Sequence, residues 1–479
     1  MTDASTLPEE SQVPEGVTYG SSLTTSEPYG TEIIPLAERH GHPSQQFTLW
    51  FAANLVLAVM VSGFFSASFG LSVWQGLSAV VVGSAAAATV MGVLAGIGTK
   101  LGVPQQVQGR GPMGYYANFV PIMLLTIISA IGWTAVNTVF AVIALREIVD
   151  VPFWLGAAVI FAVQGVFAVW GYNLVHLMNK IASVVLAILF AVITILSLSK
   201  ADFSAAATAD ASFAGWLTFA GFFFAYVMTW TPFASDFSRY LPSTTSHTQV
   251  TVYTALGNGL AMIWLGGIGV LVSSFAGALD PVAALRDLTG DFGPIAMATV
   301  VISTLPVSAM NLYGGSLSLL TIKIPVSRQV GVAVVSVAGL IATLLMQKDP
   351  YGTFYDFLSV LAYLVVPFST VLLADYYLRM RKSPVDSAVA LFDKQQSIQW
   401  GFVAMVLGWI ASFFFWNTAL VQGPFSSVAE NVGDIAYYVG AIVALLAFLS
   451  MRNLTPLPEL IRGRRSAQPQ AQPQTATEA

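Results

Sequence analysis

Trp133 and Asn137 stand four residues apart in an apolar stretch, so on a helix they share one face. One offers a π surface, the other two hydrogen-bond donors and an acceptor. That pairing suits gripping a ligand, or else plain packing by Trp133 with Asn137 joining two helices; neither breaks a bond. A second polar group, Ser303, Thr304, Ser308 and Asn311, lies in another apolar stretch, where hydroxyl and amide oxygens suit a hard cation or the polar edge of a ligand. Nucleophilic chemistry is poorly supplied. The chain has no cysteine, which removes disulfides, thiolate metal sites and thiol nucleophiles. Its four histidines (His40, His42, His176 and His247) do not cluster, and the first two lie in a polar N-terminal stretch. Asp236 and Asp375 fall near the ends of apolar runs, and Arg146 and Glu147 at the end of another. A proton pump built on carboxylates in mid-membrane is therefore disfavoured, as is a channel with a charged ring.

The elements that must position these residues follow from composition. Of 479 residues, 56% are hydrophobic and 9% charged, with a mean hydropathy of +0.74. Soluble domains are about a quarter charged, so a water-soluble fold is excluded. At roughly 20 residues per span the apolar content serves about a dozen membrane helices. Hydropathy places them near 49–69, 74–98, 118–145, 153–171, 175–199, 214–233, 251–277, 293–320, 329–346, 356–378, 399–416 and 435–451. Residues 1–48 carry seven acids and one arginine among Ser, Thr, Pro and Gly, a composition that predicts a disordered cytoplasmic tail and not a signal peptide. Residues 453–479 form a second low-complexity tail.

With the N-terminus inside, fifteen of the nineteen Lys and Arg residues fall on cytoplasmic segments, leaving Arg146, Lys200, Arg286 and Lys348 outside. This positive-inside bias supports an even number of spans with both termini cytoplasmic, in the plasma membrane. Net charge is −5, with no basic block before the C-terminal tail, so nucleic acid is not an expected partner. Residues 109–114 fit the dinucleotide pattern G-x-G-x-x-G, but they follow a membrane helix and no strand, and read as a turn.

Two spans carry interruptions. The first holds Val61-Ser62-Gly63 and the sixth Trp230-Thr231-Pro232. Breaks at matching positions of two halves free backbone groups at mid-depth, the signature of an inverted-repeat transporter. The halves would be spans one to five (about 49–199) and six to ten (about 214–380), with 399–451 added. The plainer reading is that Gly and Pro are common in membrane helices.

Several stretches resemble the nucleobase–cation symporter-1 family, in its purine/cytosine permease branch. They are WFAAN at 50–54, FFSAS at 64–68, GWTAVN at 132–137, DFSRY at 236–240, Asn311-Leu312-Tyr313 and Ala374-Asp375-Tyr376. The resemblance spans roughly residues 45–450. It implies twelve helices in the LeuT-type five-plus-five inverted repeat plus two accessory helices, and uptake of a nucleobase or similar ring with Na⁺ or H⁺. It implies that Trp133 stacks on the substrate and Asn137 bonds it, with Asn311, Thr229 and Ser62 nearby. Trp230 would be the second aromatic, with Phe224 and Tyr226 as competitors. A sodium site would take the carbonyls of Val61 and Phe64 with hydroxyls among Ser303, Thr304 and Ser308. Leu305-Pro306-Val307 departs from the bacterial pattern there, which leaves H⁺ open. Asp236 and Arg239 would be gate or structural groups. Spans one and six with parts of two and seven would move against a frame of three, four, eight and nine.

The expected function is a cation symporter importing cytosine or a purine by alternating access. It needs no cofactor beyond its coupling ion and no obligate protein partner, only substrate and lipid bilayer. Alternatives are allantoin, hydantoin, pyridoxine or thiamine as cargo, or a non-transporting receptor. An intramembrane enzyme lacks a reactive constellation.

Overall fold

The computed structural model describes residues 19–23, 26–204, 207–208, 211–276, 279–454 and 457. The described residues are helical apart from turns and one isolated bridge, Asn417 with Gln422. The first apolar run folds as α1 (Gln45–Asn54) and α2 (Leu57–Phe64). The remaining runs give α3 (Val73–Leu101), α4 (Phe119–Arg146), α5 (Phe153–Trp170), α6 (Tyr172–Lys200) and α7 (Phe213–Met228). After these come α8 (His247–Ser273), α9 (Gly293–Thr321), α10 (Arg328–Met346), α11 (Pro350–Leu378), α12 (Trp400–Phe413) and α13 (Ala436–Met451).

Among the described residues nine spans are long and apolar enough to cross a membrane, and the bent α1–α2 pair makes a tenth. α12 and α13 are apolar but shorter, at 14 and 16 residues. The expected twelve crossings are compatible with this set. The protein is all-α and multi-pass.

Local chemistry fixes the boundaries. Ser72 and Gln75 form a reciprocal capping box at the start of α3, and Gly102 ends that helix at φ 67°. Serine oxygens cap α7, α8 and α10 through Ser212, Ser246 and Ser327. Residues 122–127 form a π-helical turn within α4, just before the stretch that carries Trp133.

The helices pack as two bodies. α8 lies across α3, α1 and α2, and α7 packs on α3; separately, α9 packs on α4, α5 and α10, and α10 on α4. α6 touches both through α1 and α9, and α12 and α13 lean on α11. The α2–α8 contact is closest at glycine: a Cβ on Gly63 would lie 2.0 Å from the Gly266 carbonyl oxygen. Small residues let the two backbones meet where lipid supplies no hydrophobic drive.

Two expectations are corrected here. The break in the first span lies at Leu55–Val56, where the chain bends by 58°, and not at Val61-Ser62-Gly63. The Ser62 hydroxyl instead donates to the Ala58 carbonyl within an intact turn, and Gly63 serves packing. The tail also ends sooner than residue 48. Residues 26–41 are ordered against the face that carries the loops after α3 and α7, with Tyr29, Ile34 and Glu27 buried. Residues 1–18, 24–25 and all but one residue of 455–479 lie outside the described set.

Candidate functional site

The sixth span breaks where expected. Helical bonding in α7 ends at Met228, Thr231–Phe233 form a 3-10 turn, and Pro232 has no N–H to continue the ladder. The Thr229 hydroxyl donates to the Tyr226 carbonyl and accepts from the Trp133 indole N–H at 3.1 Å. That bond joins α4 of one body to the α7 break of the other. The Trp133 ring lies 4.6 Å from Tyr226 and within 6 Å of Phe354 and Phe357 of α11. Trp133 is thus walled by aromatics and tethered by one hydrogen bond, with its side chain 1% exposed.

Of the three candidates Phe224, Tyr226 and Trp230, Tyr226 is the one in ring contact with Trp133. Trp230 meets Trp50 of α1 edge-on at 5.4 Å, and its indole N–H has no partner. Phe224 stacks on Tyr437 of α13.

Orphaned polar atoms mark the interior more sharply than any carboxylate. Both amide atoms of Asn137 and both of Asn311 lack partners although the residues are buried. The hydroxyls of Thr138 and Ser308 are likewise unpaired. Buried polar groups are nearly always satisfied, and these four side chains lie on α4 and α9, two helices in contact.

The cation candidates divide. Ser303 and Thr304 donate to the Val300 and Val301 carbonyls one turn back, the usual behaviour of hydroxyls in membrane helices. Ser308 keeps its oxygen free. Pro306 inside α9 withholds the N–H that would bond one turn back. Val61 sits mid-way along α2 and Phe64 ends it, so the break expected to free their carbonyls lies elsewhere.

Beyond the α7 break, the chain to Leu241 is a buried polar turn. Ser235 and Ser238 donate to the Leu94 and Ala95 carbonyls of α3. Asp236 accepts from the Gln105 backbone and from the Gln106 side chain, both at 2.9 Å. Burial nevertheless pushes its carboxyl up to about 7, against the lowering effect of those bonds. Arg239 pairs with Glu27 at 2.8 Å with both side chains wholly buried. Glu27 was missed because it lies in the stretch expected to be disordered. The signal present was Tyr19, Tyr29 and Ile34, which cluster with Tyr172 and Tyr240, apolar residues that a solvated tail does not need.

A multi-pass bundle of two helical bodies, one carrying both broken helices and tied to the other through the Trp133–Thr229 bond, has the architecture of a secondary transporter. Residues 33–440 match the family described as permease for cytosine/purines, uracil, thiamine, allantoin, and the chain belongs to that family. It is 27% identical over 440 residues to the putative purine-cytosine permease YxlA of Bacillus subtilis, covering 88% of this chain and 95% of that one. It is 27% identical to the hydantoin permease of Microbacterium maritypicum, over 72% and 75% of the two chains. In fold it is similar to Mhp1, a nucleobase-cation-symport-1 family transporter solved in a closed conformation with bromovinylhydantoin bound. The TM-score is 0.72 at 22% identity, over 90% of this chain and 96% of that chain. The protein is a permease and not an enzyme.

Proposed function

We propose that this permease imports a nucleobase-type ring, cytosine or a purine, across the plasma membrane by alternating access, with both termini cytoplasmic. The observation that carries the reading is Trp133, a buried indole framed by Tyr226 and Thr229, on the same helix face as the unpartnered amide of Asn137. A flat heterocycle offers a π face to Trp133 and edge donors and acceptors to Asn137 and Asn311. Ser62, bonded within α2, takes no part in this scheme.

Coupling follows from linkage: an ion that binds the same state as the substrate raises its affinity, and the substrate raises the ion's by the same factor. Ser308 is the hydroxyl available to a Na⁺; the carbonyls of Val61 and Phe64 could join it only if the turn of α2 that holds them opens in another state of the cycle. A proton-coupled cycle needs none of them. The body of α1, α2, α3, α7 and α8 rocks against that of α4, α5, α9 and α10, and the Glu27–Arg239 pair closes the cytoplasmic side between strokes.

A second cargo, a hydantoin, is favoured by one observation, the similarity over most of the chain to a hydantoin permease. One uptake experiment separates them. Radiolabelled cytosine, hypoxanthine and hydantoin are offered to cells lacking their own permeases, with and without Na⁺ and a protonophore. Saturable cytosine or hypoxanthine uptake abolished by one of those conditions supports the proposal and names the ion. Hydantoin uptake alone moves the assignment to the second cargo, and no uptake of any ring from protein at the membrane overturns both.

A further inference from the structure

Away from the transport path, a polar pocket and an apolar groove run into one another on the outside of the bundle. The pocket, of about 650 Å³, lies where α11 and α13 end and α12 begins. Its charged lining is Arg379, Lys382 and Arg452 against Asp375 and Asp393. Both acids are already engaged: Asp375 takes a two-point bond from Arg379 at 2.8 and 2.6 Å, and Asp393 accepts from the Gln395 backbone and the Gln396 side chain. Lys382 and Arg452 pair with no carboxylate among the described residues, and both are exposed.

The groove, of about 510 Å³, has Phe224 and Met228 of α7 and Val366 of α11 in its lining, with Val90 of α3 on one side and Leu445 and Leu449 of α13 on the other. Leu378 lines both cavities, and Phe448 of the pocket adjoins Leu449 of the groove. A slot for hydrocarbon therefore opens directly onto a basic pocket at the end of the membrane spans. Basic pockets of this kind between helices on the cytoplasmic side hold anionic lipid headgroups.

We propose that this composite cavity binds an anionic glycerophospholipid of the cytoplasmic leaflet, its phosphate at Lys382 and Arg452 and an acyl chain in the groove. A free phosphate ion would leave the groove unfilled, and a zwitterionic lipid brings no net charge to the two cations. The chain after residue 454 carries Arg462, Arg464 and Arg465 against Glu459 and Glu478, a side-chain balance of the pocket's own sign. Met228 is the last residue of α7 before the break, so an acyl chain in the groove lies against the end of the helix that bears on the transport site.

The test is native mass spectrometry of the purified full-length protein equilibrated with equimolar phosphatidylglycerol and phosphatidylcholine of matched chains. The wild type should retain phosphatidylglycerol about tenfold or more over phosphatidylcholine, and Lys382→Gln/Arg452→Gln should bring the two near parity. Ala441→Trp, which fills the groove, should lower retention of both lipids together. Should the double variant not fold, the single variants carry the test, each with an intermediate preference. Equal retention in the wild type, or an unchanged preference in the folded variants, overturns the proposal. So does displacement of bound phosphatidylglycerol by millimolar inorganic phosphate, which would mark a site for the free ion.

Discussion

Glu27 and Arg239 lie 212 residues apart in sequence and form an ion pair of 2.8 Å with no solvent exposure on either side chain. The same carboxylate accepts from the Tyr240 hydroxyl at 2.6 Å, the Tyr313 hydroxyl at 2.9 Å and the Tyr172 backbone at 3.0 Å. Arg239 also donates to the Gly30 carbonyl, and Arg328 at the start of α10 donates to the Glu27 carbonyl. One glutamate thus joins the loop after α7, which packs with α3, to α6, α9 and α10. A buried pair is weak evidence for stability, since desolvation offsets much of the attraction. What it supplies is a single arrangement of the elements it joins.

Removing one partner strands the other charge. Glu27→Gln should destabilise the protein by about 3–5 kcal/mol, and Glu27→Gln/Arg239→Gln should recover part of that loss. The chain has no cysteine, so a single one introduced at Ser369, buried beside Thr231 at the α7 break, reports access without background. Its alkylation from the cytoplasmic side should be faster with Glu27→Gln than without. Equal rates in folded protein would show that the pair closes nothing.

The orphaned amides give a prediction whose sign separates binding from packing. An unsatisfied buried amide costs about 1–3 kcal/mol. Asn137→Ala and Asn311→Ala should therefore leave the empty protein as stable as before or more so, while weakening substrate binding. An amide that glues helices behaves oppositely, with a lower melting temperature and unchanged affinity. Thermal unfolding with and without substrate reads both quantities in one experiment.

Most of the fold was legible because membrane spans announce themselves by hydropathy alone. The span from 328 to 346 was placed within one residue, and the α7 break was marked by Pro232. The α1–α2 break carried no such mark. Leu55 and Val56 are ordinary apolar residues, and the Gly that drew attention at 63 is small because Gly266 is close. The ordered segment from 26 to 41 escaped for a related reason: its acids dominate the composition, while two of them, Glu27 and Glu38, are buried and bonded, Glu27 to Arg239 and Glu38 to the backbone of Tyr19 and Gly20. Trp133 and Asn137 were singled out by spacing and resemblance, and the structure sets Trp133 among aromatics and leaves the Asn137 amide without a partner. That Tyr226, and not Trp230, meets Trp133 depends on how two helices rotate against each other, which no local pattern encodes.

That pairing yields a comparison of two aromatics. Base–aromatic stacking is worth about 1–3 kcal/mol. Trp133→Ala should weaken substrate binding about fivefold to more than a hundredfold. Tyr226→Ala should reduce binding more than Trp230→Ala does, because Tyr226 borders the Trp133 face and Trp230 contacts Trp50. The reverse order, measured by equilibrium binding to folded variants, would return Trp230 to the site.

Asp236 supplies a pH dependence. Its ordinary value of 3.8 is pushed to about 7 by burial, so the folded protein holds the proton more tightly than the unfolded chain. The native state then binds more protons than the unfolded state between about pH 4 and 7, and stability must fall as pH rises through that window and level off above it. Asp236→Asn is neutral throughout and should lose this slope. Its hydrogen bonds survive the change: Gln105 still donates to Oδ1, and the unpartnered Gln106 Oε1 can turn to accept from the new amide. Melting temperatures of the two proteins from pH 4.5 to 8 should therefore diverge as pH rises, with the wild type falling relative to the variant until about pH 7. Parallel curves would mean that Asp236 is ionised across the whole range, and its two donors would then outweigh its burial.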